Sequence, residues 1–580
     1  MKKCWSGLRA YRKECVLGPL FKLLEALLEL MVPLVMASII DTGIADRNTG
    51  YIGRMCALLV GLGAVGLAFS ITAQFFAAKA ATGFSTRLRH DVFSHMTKLS
   101  FSQLDQTGSS TIITRLTGDI NQVQSGTNIF LRLFLRSPFI VFGAMVMAFT
   151  IDWKAALVFA VIIPVLLAVV FAIILATLPL YRRVQQRLDG VLGATRENLA
   201  GARVVRAFGK EADEIADFDA KNAALLKIQL FSSRISVLLN PLTYLLINGA
   251  VLVLIQVGAL RVNAGVLTQG QVVALVNYMG QILVELIKLA NTTVSVTKSV
   301  ACLRRIQNVL DIPAETERAQ LPAAPVAGAP AVVFDHVSLQ YAGAGAESLS
   351  DISFTVQPGQ TIGVIGSTGS GKTSLVHLIP RFYEATAGTV TVHGVDVHDY
   401  PKAQLRGEIG IVLQKAVLFK GTIRENLRWG KPDATDEEMW EALRIAQAAD
   451  FVAVREGQLD SPVEQEGRNL SGGQRQRLTI ARAVIRKPSI LILDDSASAL
   501  DYATDAKLRQ AIRAMSDRTT VFIVSQRAAS MLYADQILVL DDGRLVGRGT
   551  SDELLQSCEV YREIYESQFG TTAKEGGDAQ

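Results

Sequence analysis

The chain has 580 residues, of which 50% are hydrophobic and 19% charged, and its mean hydropathy is +0.30. This composition excludes an intrinsically disordered chain and is too apolar for a routine soluble enzyme. The net charge of +5 gives no case for a nucleic-acid partner, because basic residues near membrane spans account for it. The five cysteines are scattered without a CxxC spacing, so we expect reduced thiols rather than disulfides or a zinc site.

Residues 1–311 carry nearly all of the long apolar runs and predict an all-α, six-helix transmembrane domain. Three of the runs contain no charged residue, and each is long enough to cross about 30 Å of hydrocarbon. The other three are weaker because they are short or include charges. The six predicted spans are approximately residues 20–40, 55–78, 128–151, 155–181, 235–260 and 270–292.

The distribution of basic residues predicts the orientation of these spans. Lysines and arginines precede the first span, follow the second, separate the fourth from the fifth and follow the sixth, whereas the intervening loops are short and poor in positive charge. By the positive-inside rule, both termini of this multi-pass protein lie in the cytoplasm. The two long cytoplasmic loops, 81–136 and 182–234, have helical spacing and should continue the membrane helices beyond the lipid bilayer.

The composition changes after a Pro- and Ala-rich stretch, residues 312–331, which predicts a linker. In residues 332–570 short strand-like runs alternate with helical ones, which is typical of a soluble α/β domain with a mainly parallel core sheet and an added antiparallel part. The polar tail 571–580 is expected to be disordered.

The second domain contains a P-loop, a sequence motif that binds nucleotide phosphates. The sequence GxxxxGK[ST] follows the strand-like run TIGVI and precedes an apolar helix. Its backbone N–H groups can point at phosphate oxygens, Lys372 supplies a positive charge, and Thr373 supplies a hydroxyl for Mg²⁺. The predicted ATP-binding residues of this loop are Gly366, Ser367, Thr368, Gly369, Ser370, Gly371, Lys372 and Thr373.

Two further motifs lie downstream of the P-loop. Asp494 ends the buried strand ILILD, at the strand end that faces the ligand crevice in a parallel sheet, where it would hold Mg²⁺ through water. Between the P-loop and Asp494 lies a glycine turn at a helix start. It predicts a second phosphate-binding surface for a neighbouring molecule's ATP, with a simple helix-capping turn as the alternative. The residues of this turn are Leu470, Ser471, Gly472, Gly473 and Gln474.

The P-loop, LSGGQ and ILILDD, in this order, resemble the nucleotide-binding domain of ABC transporters. From about residue 15 to 570 the chain resembles a half-transporter of the type IV exporter fold, and segments 104–123 and 197–211 are similar to that family's coupling loops. The resemblance implies that Tyr341 stacks on adenine, that Gln414 senses both Mg²⁺ and the coupling helices, with a catalytic role, and that Asp501 lies at a dimer contact. It also implies that two such domains sandwich two ATP molecules head to tail.

Two residues depart from the family pattern. Asp495 stands where a glutamate normally acts as general base, and Gln526 stands where a histidine normally acts as a switch. Aspartate draws the carboxylate back by about 1.5 Å, and a displacement of this size can cost on the order of 10²-fold in rate. Unlike histidine, glutamine cannot be protonated to a positively charged form. The alternative is that both are neutral variants of an active site.

The intact LSGGQ then predicts a heterodimer. This chain would bind ATP at a slow, degenerate site, and its Ser471 and Gly473 would complete the competent site of a second half-transporter. This pattern resembles the degenerate-site subunit of bacterial heterodimeric multidrug exporters. A homodimer would have two impaired sites.

The substrate predicted by the resemblance is a drug, lipid or other amphipathic small molecule. A peptide exporter or a metal-chelate importer on the same fold, and a non-transporting ATP sensor or channel, remain alternatives. Glu285, a charge within the sixth span, either meets a cationic substrate or pairs with Lys288 one turn away.

Overall fold

The computed structural model describes residues 7–315, 323–496, 499–515 and 519–570. The chain divides into two compact units. The helical unit comprises residues 1–97 and 108–313, and the sheet unit comprises residues 98–107 and 314–580. The predicted tail, 571–580, and part of the predicted linker, 316–322, lie outside the described residues.

Six helices of the helical unit are long and apolar enough to cross a membrane, which confirms the predicted fold class of this half. They are α1 (Arg9–Ile44), α2 (Thr49–Met96), α4 (Ser109–Ile151), α5 (Trp153–Ala200), α7 (Glu211–Asn263) and α8 (Gln269–Leu310). Two short helices lie between them in sequence, α3 (Phe101–Thr107) in the sheet unit and α6 (Ala202–Ala207) in the helical unit. Several long helices run well past the apolar runs; α2, for example, ends at Met96.

A buried ion network joins three of the long helices. Glu285 on α8 is only 3% exposed, and its carboxylate accepts hydrogen bonds from Arg136 Nη1 at 2.7 Å, Ser137 Oγ at 2.7 Å and Lys288 Nζ at 2.9 Å. Arg136 also pairs with Glu29 of α1. Buried charges are tolerated when they are paired. Glu285 thus pairs with Lys288, which is one of the two alternatives for this residue, and it pairs with Arg136 as well.

The strands of the sheet unit are β1 (Val332–Leu339), β2 (Leu349–Val356), β3 (Thr361–Gly366), β4 (Ala387–Val392), β5 (Val395–Asp396), β6 (Ile409–Val412), β7 (Gly421–Thr422), β8 (Pro462–Val463), β9 (Ile490–Asp494), β10 (Thr520–Val524), β11 (Gln536–Asp541) and β12 (Arg544–Gly549). They form a six-stranded sheet in the order β12-β11-β3-β10-β9-β6, a four-stranded antiparallel sheet in the order β2-β1-β4-β5, and the pair β7-β8. In the larger sheet all neighbours are parallel except β11 and β12. This is the predicted combination of a parallel core and an antiparallel part.

Helices flank the strands of the parallel sheet and bury it. The apolar strand β9 is buried along its whole length, as expected for a central parallel strand. Because β3, β10 and β9 are adjacent and parallel, their carboxyl ends meet at one edge of the sheet. The helices are α9 (Lys372–Leu378), α10 (Lys402–Glu408), α11 (Ile423–Arg428), α12 (Asp436–Ile445), α13 (Ala449–Ala453), α14 (Gly472–Val484), α15 (Tyr502–Arg513), α16 (Ser551–Ser557) and α17 (Glu559–Phe569).

The ion network predicts a stability effect. Replacing Glu285→Ala removes the acceptor for two cations and should lower the free energy of unfolding by about 3 kcal/mol, because it leaves buried positive charge less compensated. Thermal unfolding of the detergent-solubilised chain measures this. Asp217→Ala is the matched control, since its ion pair with Lys221 is exposed and should contribute less than about 1 kcal/mol. Equal losses in the two variants would contradict the prediction.

Candidate nucleotide site

A cavity of ≈ 230 Å³ lies at the edge where β3, β9 and β10 end. Segments from five separate parts of the sequence line it, and three of them follow the parallel strands β3, β9 and β10, whose carboxyl ends lie on the same side. The lining residues are Ser348, Thr368, Gly369, Gly371, Lys372, Thr373, Ser374, Gln414, Asp494, Asp495, Val524, Ser525 and Gln526. The structure therefore brings the P-loop together with Gln414, Asp494, Asp495 and Gln526.

Glycine is required at the end of the P-loop. Gly371 has φ +94°, in the left-handed region, and immediately precedes α9. A Cβ at this position would come 2.7 Å from the carbonyl oxygen of Ser348, which is a backbone atom and cannot easily move. Any side chain here would therefore distort the loop that encloses the cavity.

Lys372 is buried beside this loop. Its ammonium donates to the carbonyl oxygens of Gly366 at 3.0 Å and Ser367 at 2.6 Å. Burial lowers the pKa of Lys372, while the carboxylates of Asp495 and Asp494 oppose that shift. Carbonyl oxygens satisfy the donors but bring no full negative charge. An anionic phosphate entering the cavity would supply that charge.

Asp494 has the features of a ligand for a hard cation. Thr373 Oγ1 donates to Asp494 Oδ1 at 3.1 Å, whereas Oδ2 is buried and has no hydrogen-bond partner in the described part of the chain. Burial raises the pKa of Asp494, and the neighbouring Asp495 carboxylate acts in the same direction. A carboxylate, a hydroxyl and the amide of Gln414 are oxygen donors of the kind that Mg²⁺ prefers, so these residues fit the ion.

The two residues that depart from the family pattern both line the cavity. Asp495 has φ +45°, and its backbone N–H donates to the carbonyl oxygen of Val524 at 3.0 Å, which fixes it to the end of β10. Aspartate tolerates the left-handed region better than most residues. Gln526 lies on the loop that follows β10, and Gln568 of α17 stabilises this loop with two hydrogen bonds. Gln568 Nε2 donates to Gln526 O at 2.7 Å, and Gln568 Oε1 accepts from Ala528 N at 2.8 Å.

The glycine turn 470–474 and Asp501 do not line this cavity. Ser471 Oγ accepts from Gln474 N at 3.2 Å, and Gln474 Oε1 accepts from Ser471 N at 2.9 Å, so the two side chains form a capping box at the start of α14. Asp501 caps α15 by accepting from Thr504 N at 2.9 Å. Within this chain both motifs are thus separate from the P-loop cavity.

Tyr341, the residue that the family pattern places on adenine, lies beside the P-loop helix. Its hydroxyl donates to Ser374 Oγ at 2.9 Å, and its ring meets Tyr383 edge-to-face with centroids 5.0 Å apart. Burial raises the pKa of Tyr341. This contact positions an aromatic ring next to α9, the helix that begins at Lys372.

Sequence reasoning missed several residues of the site. Ser348 and Ser525 line the cavity but belong to no recognisable motif. His377 lies four residues after Thr373 on α9, and its Nε2 is 3.9 Å from Asp494 Oδ2; burial lowers the pKa of His377 and favours the neutral ring. Helical spacing could have indicated His377, whereas nothing in the sequence linked Gln568 to Gln526.

The short helix α3 is part of the sheet unit although its sequence lies between two long apolar helices. The Phe101 ring stacks on Phe382 with centroids 4.5 Å apart, and Asp105 accepts from the Tyr383 hydroxyl at 2.6 Å. The Arg406 guanidinium lies 5.3 Å from the Phe382 centroid. Phe382 and Tyr383 follow α9, so these contacts connect α3 to the region next to the P-loop helix.

Comparison with known proteins agrees with this architecture. Residues 15–286 match the family model of the ABC transporter transmembrane region, and residues 349–498 match the ABC transporter family model. An uncharacterised ABC transporter ATP-binding protein of Mycobacterium tuberculosis is 38% identical over 567 residues, 97% of each chain. An ATP-dependent lipid A-core flippase of Chromobacterium violaceum is 29% identical, covering 97% of this chain and 96% of its own.

The fold also matches a solved structure. A bacterial Atm1-family ABC exporter with ATP bound superposes with a TM-score of 0.81 at 24% identity, covering 98% of this chain and 99% of that one. Six apolar helices followed by a P-loop domain define a membrane protein that carries its own ATP-binding domain. The chain belongs to the ABC transporter family and is a half-transporter, with ATP hydrolysis as its energy source.

Lys372 offers a direct test of the nucleotide site. Lys372→Met should weaken ATP binding by about 10- to 100-fold, because it removes charge-assisted hydrogen bonds to phosphate. Binding of a fluorescent ATP analogue to the purified chain measures the effect. The control is Lys487→Met, because the Lys487 side chain is 66% exposed and lies far from the P-loop in sequence. This variant should bind the ATP analogue with unchanged affinity. Unchanged affinity in the Lys372 variant would exclude the cavity as the phosphate site.

Proposed function

We propose that this chain is the degenerate-site subunit of a heterodimeric ATP-driven exporter. It binds ATP at its own P-loop cavity but hydrolyses it slowly, and it contributes Leu470–Gln474 to the competent site of a second ABC half-transporter. The observation that carries this proposal is the pair of substitutions in one cavity, Asp495 and Gln526, beside an otherwise complete P-loop.

Geometry supports a slow site. Asp495 follows Asp494 at the position that the family pattern gives to the general base, but its side chain is one methylene shorter than glutamate, and its backbone N–H donates to the carbonyl oxygen of Val524. Gln526 can hydrogen-bond a phosphate but cannot become charged. Both substitutions affect activation of the attacking water and stabilisation of the transferred phosphoryl group, which is one chemical step.

Two observations support a partner subunit. The glycine turn 470–474 is separate from the cavity of its own chain, so it is available to another chain's nucleotide. In addition, the junction of α5, α6 and α7 exposes large apolar side chains: Leu199 is 76% exposed, Val204 59% and Phe208 75%. This junction falls in segment 197–211, which resembles a coupling loop. Exposed apolar surface of this kind fits a contact with a second subunit.

The residues have distinct roles in the proposed mechanism. Lys372 and the loop from Gly366 bind the phosphates, Tyr341 stacks on adenine, and Thr373, Gln414 and Asp494 would hold Mg²⁺, which supplies charge neutralisation when bound. ATP favours the closed pair of domains because closure completes each phosphate site, and Asp501 lies at the dimer contact. Since α3 belongs to the sheet unit and continues in sequence from α2, closure reaches the membrane helices through the chain itself.

The proposed setting is the bacterial cytoplasmic membrane, with the sheet unit and both termini in the cytoplasm, as the basic loops indicate. The proposed substrate is an amphipathic small molecule moved outward. The lipid A-core flippase among the relatives supports an amphiphile of lipid type.

The slow site can be tested on this chain alone. Purified without a partner, it should hydrolyse ATP slowly, and the double variant Asp495→Glu/Gln526→His should be faster by about 10²-fold, because it restores the reach of the base and the charge of the switch. ATPase activity in liposomes measures both. Asp542→Glu is the control for an added methylene outside the cavity. A native chain that already matches the double variant would overturn the degenerate-site proposal.

The partner can be tested independently. Affinity-tagged chain expressed at native level should co-purify from membranes with a different half-transporter, one with glutamate after its metal-binding aspartate. Changing that glutamate to glutamine should abolish ATP turnover by the complex, whereas Asp495→Asn should change it little. Equal losses from the two changes, or recovery of this chain only as a self-pair, would contradict the asymmetric assignment. Binding of nucleotide without turnover in either subunit would favour the sensor instead.

A further inference from the structure

A basic groove lies between α5 and α7 in the helical unit. It has a volume of ≈ 870 Å³ and is lined by Arg183, Gln186, Arg187, Ala224, Lys227, Ile228, Leu230, Phe231 and Arg234. Four of these residues are cationic, and none is acidic. The cations come from both helices: two are spaced by four residues on α5, and two by seven residues on α7, so each pair projects from one helix face.

The four cations have no ion pair with a carboxylate among the residues that the structure describes. Nearby charged side chains behave differently: Lys221 pairs with Asp217, and Lys210 pairs with Asp213. Clustered like charges repel one another, and an anion placed among them would relieve this repulsion. The groove therefore has the charge of a site for an anionic group.

The groove also has an apolar side. Leu230 is 51% exposed and Phe231 52% exposed, and Ile228 and Ala224 lie next to them on α7. A small inorganic anion would leave this surface unused. A molecule with an anionic head and an apolar chain would use both surfaces, and the volume suits a ligand of moderate size.

The groove lies next to the level where both helices become apolar. Tyr181 ends the charge-free run 155–181 and Ser236 lies near the start of the run 235–260; their hydroxyls are 3.3 Å apart. Arg183 and Arg234 are each within two residues of these positions, on the charged side of both runs. On the proposed topology this is the cytoplasmic surface of the bilayer, where the headgroups of amphiphiles lie.

We propose that the α5–α7 groove binds the phosphate headgroup of an anionic amphiphile, with the apolar chain against Leu230 and Phe231. The ligand comes either from the bilayer, as an anionic phospholipid, or from solution, as an amphiphilic substrate; only the second source rests on the proposed export function. The shared chemistry is a phosphate group attached to an apolar chain.

The test measures binding without ATP, so its failure is distinguishable from failure of the proposed ATPase asymmetry. The full chain in phosphatidylcholine nanodiscs is titrated with a fluorescent short-chain phosphatidic acid and with a phosphatidylcholine of the same chain length. Phosphatidic acid should bind more tightly, and added salt should weaken it. Arg183→Gln/Arg187→Gln should weaken binding by roughly 30-fold, since each cation near an anionic group contributes about a factor of five.

The matched control is Arg182→Gln/Arg196→Gln, which removes two exposed arginines from α5 that do not line the groove and should leave affinity unchanged. Lys227→Gln/Arg234→Gln repeats the test on α7, and thermal unfolding checks that each variant is folded. The proposal would be overturned by equal affinity for the two lipids or by equal losses in the test and control variants. It would also be overturned if inorganic phosphate competed with the fluorescent probe as well as unlabelled phosphatidic acid does. Nanodiscs containing phosphatidylglycerol identify the source: blocked probe binding indicates the bilayer, and undiminished binding indicates a free amphiphile.

Discussion

The structure depends most on the convergence of three parallel strand ends in one small cavity. β3 delivers the P-loop, β9 delivers Asp494 and Asp495, and β10 delivers the loop of Gln526. In the same cavity a buried lysine faces carbonyl oxygens, and a buried carboxylate oxygen lacks a partner in the described chain. The unpartnered carboxylate oxygen is costly unless a ligand completes it, because burial removes the water that would otherwise satisfy it, and burial also disfavours the charge of the lysine. The buried lysine and the buried carboxylate at this sheet edge therefore both favour binding of a nucleotide with its metal ion.

Charge has a different function in the helical unit. Arg136 pairs with Glu285 and Glu29, and Lys288 pairs with Glu285, so two cations and two carboxylates balance one another and stabilise helix packing. By contrast, the cations of the α5–α7 groove are exposed and have no carboxylate partner among the described residues. The helical unit therefore contains two kinds of charge, namely paired charges that stabilise helix packing and groove cations that face an anionic ligand in our proposal. A count of charged residues in the spans could not distinguish the two kinds.

Contacts between segments distant in sequence add a further level of organisation. Gln568 holds the loop of Gln526, and α3 packs on Phe382 and joins the sheet unit. The first contact positions a residue of the cavity from the far end of the chain. The second makes a segment between two apolar helices a part of the ATP-binding unit, which gives nucleotide chemistry a covalent connection to the membrane helices.

The six apolar helices, the α/β class of the second half and the motifs of the nucleotide site could be predicted from the amino-acid sequence. Helix length, strand hydrophobicity and loop glycines are local properties of the chain, which is why they sufficed. Three contacts became visible only in the folded chain: Arg136 neutralises Glu285, Gln568 supports Gln526, and two pairs of cations from α5 and α7 face one groove. These contacts depend on which helices and strands become neighbours, and local patterns carry no information about that.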